Sequence, residues 1–137
     1  MLSKTAQYAL CAVDYLARHP GEPQKAREMA AGTGAPTAYL STVLKSLKRA
    51  GILKSRPGPH GGYELNVAPE QLTMLDVVDA SDPLPRFEAC PLGRDEHAHA
   101  LCPVHRCVGE ATDRAREVLA RTTIADLLSE GESCAPD

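Results

Sequence analysis

The chain has 137 residues, 43% of them hydrophobic, with no Trp and one Phe. That is enough for one domain with a real core, and no apolar run is long enough to span a membrane. The net charge of −3 argues against a polyanion partner only as an average. Residues 1–63 hold nine Lys/Arg against three Asp/Glu, a balance of +6; residues 64–137 hold six against fifteen, a balance of −9. Such asymmetry predicts a polyanion-binding front and a different back.

Ala6, Ala9, Leu10, Val13, Leu16 and Ala17 recur at three-four spacing, which predicts an amphipathic helix over Ser3–Arg18 that His19-Pro20-Gly21 ends. The segment before it, Met1 to Gln7, has no apolar signal core, so a cytoplasmic location is expected. A short helix follows over about Gln24–Ala31, with Ala26, Met29 and Ala30 inward, and then a turn at Gly32-Thr33-Gly34. Pro36 suits the first position of a third helix, which runs to Ala50 and buries Leu40, Val43, Leu44 and Leu47. Strands Ile52–Ser55 and Tyr63–Val67 flank the glycine-rich loop Arg56 to Gly62, as in a hairpin wing. Thr73 is placed to cap a small helix carrying Leu75 and Val78.

Prolines 83, 85, 91 and 103 predict a loop from Ser81 to Pro103. Val104, Val108, Ala111, Ala115, Val118 and Leu119 then line a long helix. Thr123 with Asp126 predicts a capped last helix over Ile124–Ser129, and the tail from Gly131 is expected to fray. The fold class is mainly α. A winged helix-turn-helix domain (1–80) precedes a cysteine-containing loop (81–103), a segment (104–130) with a long helix and a C-terminal helix, and a tail (131–137).

From Met29 to Tyr63 the chain runs 35 residues without one Asp or Glu, although it has 18 in all. A surface that approaches phosphates cannot carry carboxylates among its cations. Inside the gap lie a helical pair joined by a tight glycine turn and a wing. In that architecture the second helix lies in the major groove, its early residues at base edges. Thr37, Ala38, Ser41, Thr42 and Lys45 are therefore the candidate base-reading positions. Tyr39 packs in part and offers its hydroxyl to a phosphate. Lys48 and Arg49 suit phosphate contact, which positions rather than specifies. Gly58, Pro59 and Gly61 shape the wing tip, and either Arg56 or His60 is the candidate for the minor groove. Bland readings compete: a plain helical hairpin, and charges that are merely solvated.

Cysteine usage is the second signal. In the expected compartment stable disulfides are unfavoured. Cys90-x11-Cys102-x4-Cys107 places three thiols near one loop, and soft sulfur matches iron, so an iron–sulfur cluster, [2Fe-2S] or [4Fe-4S], is one reading. His105, Gln7 of the partner subunit if the chain is a dimer, or an exogenous group are candidates for the fourth ligand. A zinc site using His97 and His99, a thiol switch, and buried loop anchors are the other readings. Cys11 reads as packing and Cys134 as incidental. No nucleophile–base pair, phosphate-binding glycine motif or paired carboxylates suggest an enzyme.

Several segments resemble the Rrf-two family of bacterial regulators, of the IscR and NsrR type. They are Ser3 to Leu10, Ala38-Tyr39-Leu40, Leu47 to Leu53, Gly58 to Tyr63, Leu75 to Val78, and Thr122 to Leu128. The resemblance covers nearly the whole chain. It implies a winged helix-turn-helix repressor or activator that binds double-stranded DNA at a pseudo-palindromic operator. It also implies a homodimer paired through the long C-terminal helix, a cluster at the cysteine loop that senses iron, nitric oxide or redox state, and contact to DNA by Lys4. Without a cluster, control by thiol oxidation, zinc or a protein or metabolite partner remains. One departure stands out: Pro57 occupies the place of the family's wing arginine, with Arg56 one residue earlier.

Overall fold

The computed structural model describes residues 1–90, 92–93 and 102–131. Helix α1 (Lys4–Ala17) is central, starting where the Ser3 hydroxyl accepts from the Ala6 N–H at 3.1 Å. It buries Ala6, Ala9, Leu10, Val13 and Leu16, the spacing expected of one helical stripe. Helix α2 (Ala26–Thr33) begins with the Glu28 carboxylate accepting from the Lys25 N–H and ends at Gly34. Gly34 has φ +72°, a left-handed cap that suits glycine. The turn is thus Gly34-Ala35-Pro36 and not Gly32-Thr33-Gly34, because Gly32 and Thr33 remain helical, with the Thr33 hydroxyl bonded to the Met29 carbonyl.

Helix α3 (Thr37–Arg49) buries Leu40, Val43, Leu44 and Leu47 against the core. Pro36 stands one place earlier than expected. Its φ of −60° suits a helix but its ψ of 129° is extended, so it is the N-cap, and its carbonyl accepts from the Leu40 N–H. Strands β1 (Leu53–Arg56) and β2 (Gly62–Leu65) pair antiparallel, Leu53 opposite Leu65 and Arg56 opposite Gly62. The hairpin is anchored to the body by Gln24 and Tyr63, which exchange two backbone hydrogen bonds of 2.9 and 2.8 Å. A Cβ on Gly62 would lie 2.5 Å from the Gln24 carbonyl oxygen, so only glycine lets the two chains meet.

Helix α4 (Met74–Ser81) and helix α6 (Ile124–Ser129) share one device: a threonine N-cap, Thr73 or Thr123, with an aspartate three residues on. Backbone bonds from Met74 to Thr122 and from Ile124 to Leu72 join the two helix starts, and Ile124 is fully buried. Helix α5 (Pro103–Arg121) packs on α4. There the Arg116 guanidinium grips Asp79 through bonds of 2.8 and 2.7 Å. This pairing holds the Arg116 pKa above its ordinary value, through the hydrogen bonds to Asp79 first and their Coulomb attraction after burial is set against them.

The stripe expected along α5 divides. Ala115 and Leu119 pack against the core, while Val104 is 40% and Val118 53% exposed. At 100° per residue, Val104, Cys107, Ala111 and Val118 form a second, outward face. Among the described residues no helix is long and apolar enough to cross a membrane. The tail after Gly131, with Cys134, and also His97 and His99, lie outside the described residues.

Candidate functional site

The outward side of α3 is built by subtraction. Once Leu40, Val43, Leu44 and Leu47 are buried, Ala38, Thr42, Lys45 and Arg49 are left exposed along one stripe. Thr37 and Lys48 are exposed beside it. Ser41 is half-buried and its hydroxyl donates to the Thr37 carbonyl at 2.9 Å. Pro36 offers no side-chain cap and the first turn holds no acid. The free N–H groups at this helix start add the positive end of a helix dipole to the basic stripe.

Tyr39 is placed as a brace. Its ring meets Tyr8 edge-on at 5.5 Å and its hydroxyl is hydrogen-bonded to Thr5, tying α3 to the start of α1. Lys4 lies exposed in that first turn of α1, close in sequence to Thr5.

The wing tip is a turn closed by the Gly61 N–H donating to the Gly58 carbonyl at 3.0 Å, with Pro59 and His60 between them and exposed. Gly61 itself is buried, and a Cβ there would lie 2.0 Å from the Arg56 carbonyl oxygen. It therefore shapes the tip and does not face outward, unlike the other wing positions. Arg56 is exposed, but its Nη2 pairs with Glu64 Oε2 at 3.2 Å. Sequence reasoning missed Glu64. The only signal was that Glu64 ends the acid-free run one residue inside the second strand.

The cysteines separate into three environments. Cys11 is 1% exposed and disulfide-bonded, so it does more than pack, and the expectation of packing alone is corrected. No disulfide joins Cys90 and Cys102, whose sulfurs lie 3.8 Å apart. Cys102 is the N-cap of α5, and its sulfur accepts from the His105 N–H at 3.4 Å. His105 is buried, and among the described residues its Nδ1 has no hydrogen-bond partner. A buried ring nitrogen without a partner calls for a water or an ion. Cys107 is free and exposed. It lies two residues past His105, about 200° around the helix, so the structure does not bring it to the Cys90–Cys102–His105 group. Among the described residues, no three His, Cys, Asp or Glu side chains converge closely enough to hold a metal ion.

The model of the Rrf-two (Rrf2) family, described as iron-dependent transcriptional regulator, matches residues 2–130. The chain belongs to this family. Protein rrf2 of Nitratidesulfovibrio vulgaris is 32% identical over 125 residues, covering 87% of this chain and 81% of that protein. Among solved structures, CymR (YrzC), the global cysteine regulator of B. subtilis, is 26% identical with a TM-score of 0.76, over 96% of this chain and 98% of that one. T. potens IscR is 27% identical with a TM-score of 0.74, over 100% of this chain and 92% of that one. The Rrf2 protein described here is thus a DNA-binding transcriptional regulator and not an enzyme, and its winged helix-turn-helix fold is shared with CymR and IscR.

Proposed function

We propose that this Rrf2 protein is a homodimeric repressor of pseudo-palindromic operators, and that an iron–sulfur cluster at the cysteine loop controls its affinity for DNA. The observation that carries the control is the close approach of two cysteine sulfurs, Cys90 and Cys102, 3.8 Å apart at the start of α5. Those residues fit a soft metal centre in ligand type: two sulfurs, that of Cys102 at the positive end of the α5 dipole. Cys90 and Cys102 would hold the group, which would supply a redox-sensitive tie between the loop and α5; His105 follows Cys102 closely in sequence, but the described side chains do not converge as a three-ligand set. Cys107, expected from its spacing as a third ligand, faces away. The remaining ligands would be His105, Gln7 of the partner subunit or an exogenous group. The iron-dependent description of the family supports the same reading.

Recognition follows from α3 and the wing. Thr37, Ala38 and Thr42 face base edges, Lys4, Lys45, Lys48 and Arg49 contact phosphate, and the wing follows the neighbouring minor groove. Two copies joined along the outward face of α5, at Val104, Ala111 and Val118, would present two α3 helices to successive major grooves. Exposed valines on a helix supported from behind are the apolar surface such a pairing needs.

The 3.8 Å separation favours a second reading, in which Cys90 and Cys102 close to a disulfide on oxidation and switch the protein without a metal. The deciding experiment is purification without oxygen, followed by an absorption spectrum with iron and sulfide analysis. The cluster reading predicts visible absorbance that Cys102→Ala removes. A colourless protein lacking iron and sulfide overturns it, and counting free thiols before and after mild oxidation then tests the disulfide.

A further inference from the structure

The wing holds two candidates for the minor groove, and the fold treats them differently. Arg56 ends β1, and its guanidinium is paired with Glu64 on β2. The Glu64 side chain is only 10% exposed, and it sits directly across the ladder from Lys54. A largely buried carboxylate stripped of its partner is costly. Drawing Arg56 away into a groove would therefore cost Glu64 its ion-pair partner and leave it only Lys54 across the ladder. The carboxylate would also face the negative potential of the groove, which repels it. Glu64 makes Arg56 a strut of the hairpin.

His60 has none of these restraints. It sits beside Pro59 at the apex of the Gly58–Gly61 turn, exposed, with no hydrogen bond or ion pair among the described residues. The buried Gly61 and the Gln24–Tyr63 bridge fix the hairpin behind it, so the tip is presented on a rigid stem. Narrow minor grooves, typical of A-tracts, concentrate negative potential and attract inserted Arg, Lys or His.

We propose that His60, and not Arg56, is the side chain this wing inserts into the minor groove. It selects duplexes whose flanks, beside the major-groove half-sites, are narrow and A·T-rich. The inference rests on the DNA-binding reading above and names the wing's specificity determinant.

The probe is a duplex selected by the wild-type protein from a random pool. The segment beneath the wing is then rebuilt as an A-tract or as G·C, and affinity is measured for both. Wild-type protein is expected to prefer the A-tract form by about tenfold, a typical effect of one unfavourable position. His60→Gln abolishes the preference, His60→Arg keeps it, and Arg56→Gln keeps it. Glu64→Gln, which releases Arg56, tightens both duplexes alike. The proposal is overturned if the wild type has no preference, if His60→Gln retains it, or if Arg56→Gln removes it. A wild type that selects no duplex at all defeats the DNA-binding reading itself, an outcome distinct from binding without flank preference. His60 is exposed and unbonded, so its variants are expected to fold as the parent does.

Discussion

Thr42 and Lys45 stand on one exposed stripe of α3, yet their chemistry assigns them opposite tasks. A short hydroxyl side chain at a base edge discriminates between bases. A lysine there neutralises phosphate and releases counterions whatever the sequence. Lys45→Ala or Arg49→Ala should weaken binding to every duplex and lower the slope of log affinity against log salt by about one. Thr42→Ala should leave that slope unchanged and relax the base preference at one position, by about 1–3 kcal/mol of discrimination. Titrations of selected and scrambled duplexes across a salt series separate the two. A Thr42→Ala protein that behaves like Lys45→Ala would mean that α3 sits differently in the groove. The Thr42 hydroxyl lies 3.4 Å from the Ala38 carbonyl, a weak bond that DNA can displace.

At the scale of elements, the two threonine-aspartate caps and the α4–α5 ion pair hold the C-terminal part in place. The Thr123 N–H, and secondarily its hydroxyl, hold the Asp126 carboxyl below its ordinary pKa. A carboxylate lowered in the folded state adds stability that is present above its unfolded pKa and is lost as pH falls through the folded one. Asp126→Asn should therefore lower the Tm at neutral pH and flatten the acid limb of the stability curve, as thermal melts across the acid range would record. Arg116→Met should lower the Tm more than the Asp79→Asn/Arg116→Met pair does, because the single change leaves Asp79 without its counter-charge. Periodicity and capping made these helices legible. Leu40, Val43, Leu44 and Leu47 marked the inner face of α3, and Thr123 with Asp126 marked the start of α6. Pairings between elements were not legible. Nothing in the chain near Arg116 points to Asp79, 37 residues earlier. Nothing local shows that Gln24 would bond to the wing strand. Spacing along the chain also hid the fact that His105 and Cys107 turn to opposite sides of α5, since they stand only three and five residues past Cys102.

For the whole molecule, the charge asymmetry read from the sequence becomes a division of surface. The acid-free run supplies α3 and the wing, and the acidic half begins at Glu64 and supplies the cysteine pair and α5. Val118→Glu should reduce the apparent mass in solution toward that of one chain and weaken operator binding, because two half-sites are then no longer engaged together. Sedimentation of the parent and variant checks it, and an unchanged dimer would place the pairing surface elsewhere. We propose that the Cys90–Cys102 pair governs the DNA-binding face from outside it. The most direct test is the affinity of anaerobically purified protein for its selected duplex, parent against Cys102→Ala, at matched salt and with both proteins shown to be folded. Control through this site predicts a change of tenfold or more, about 1.4 kcal/mol, although Cys102 is remote from α3 in the chain. Equal affinities would contradict it.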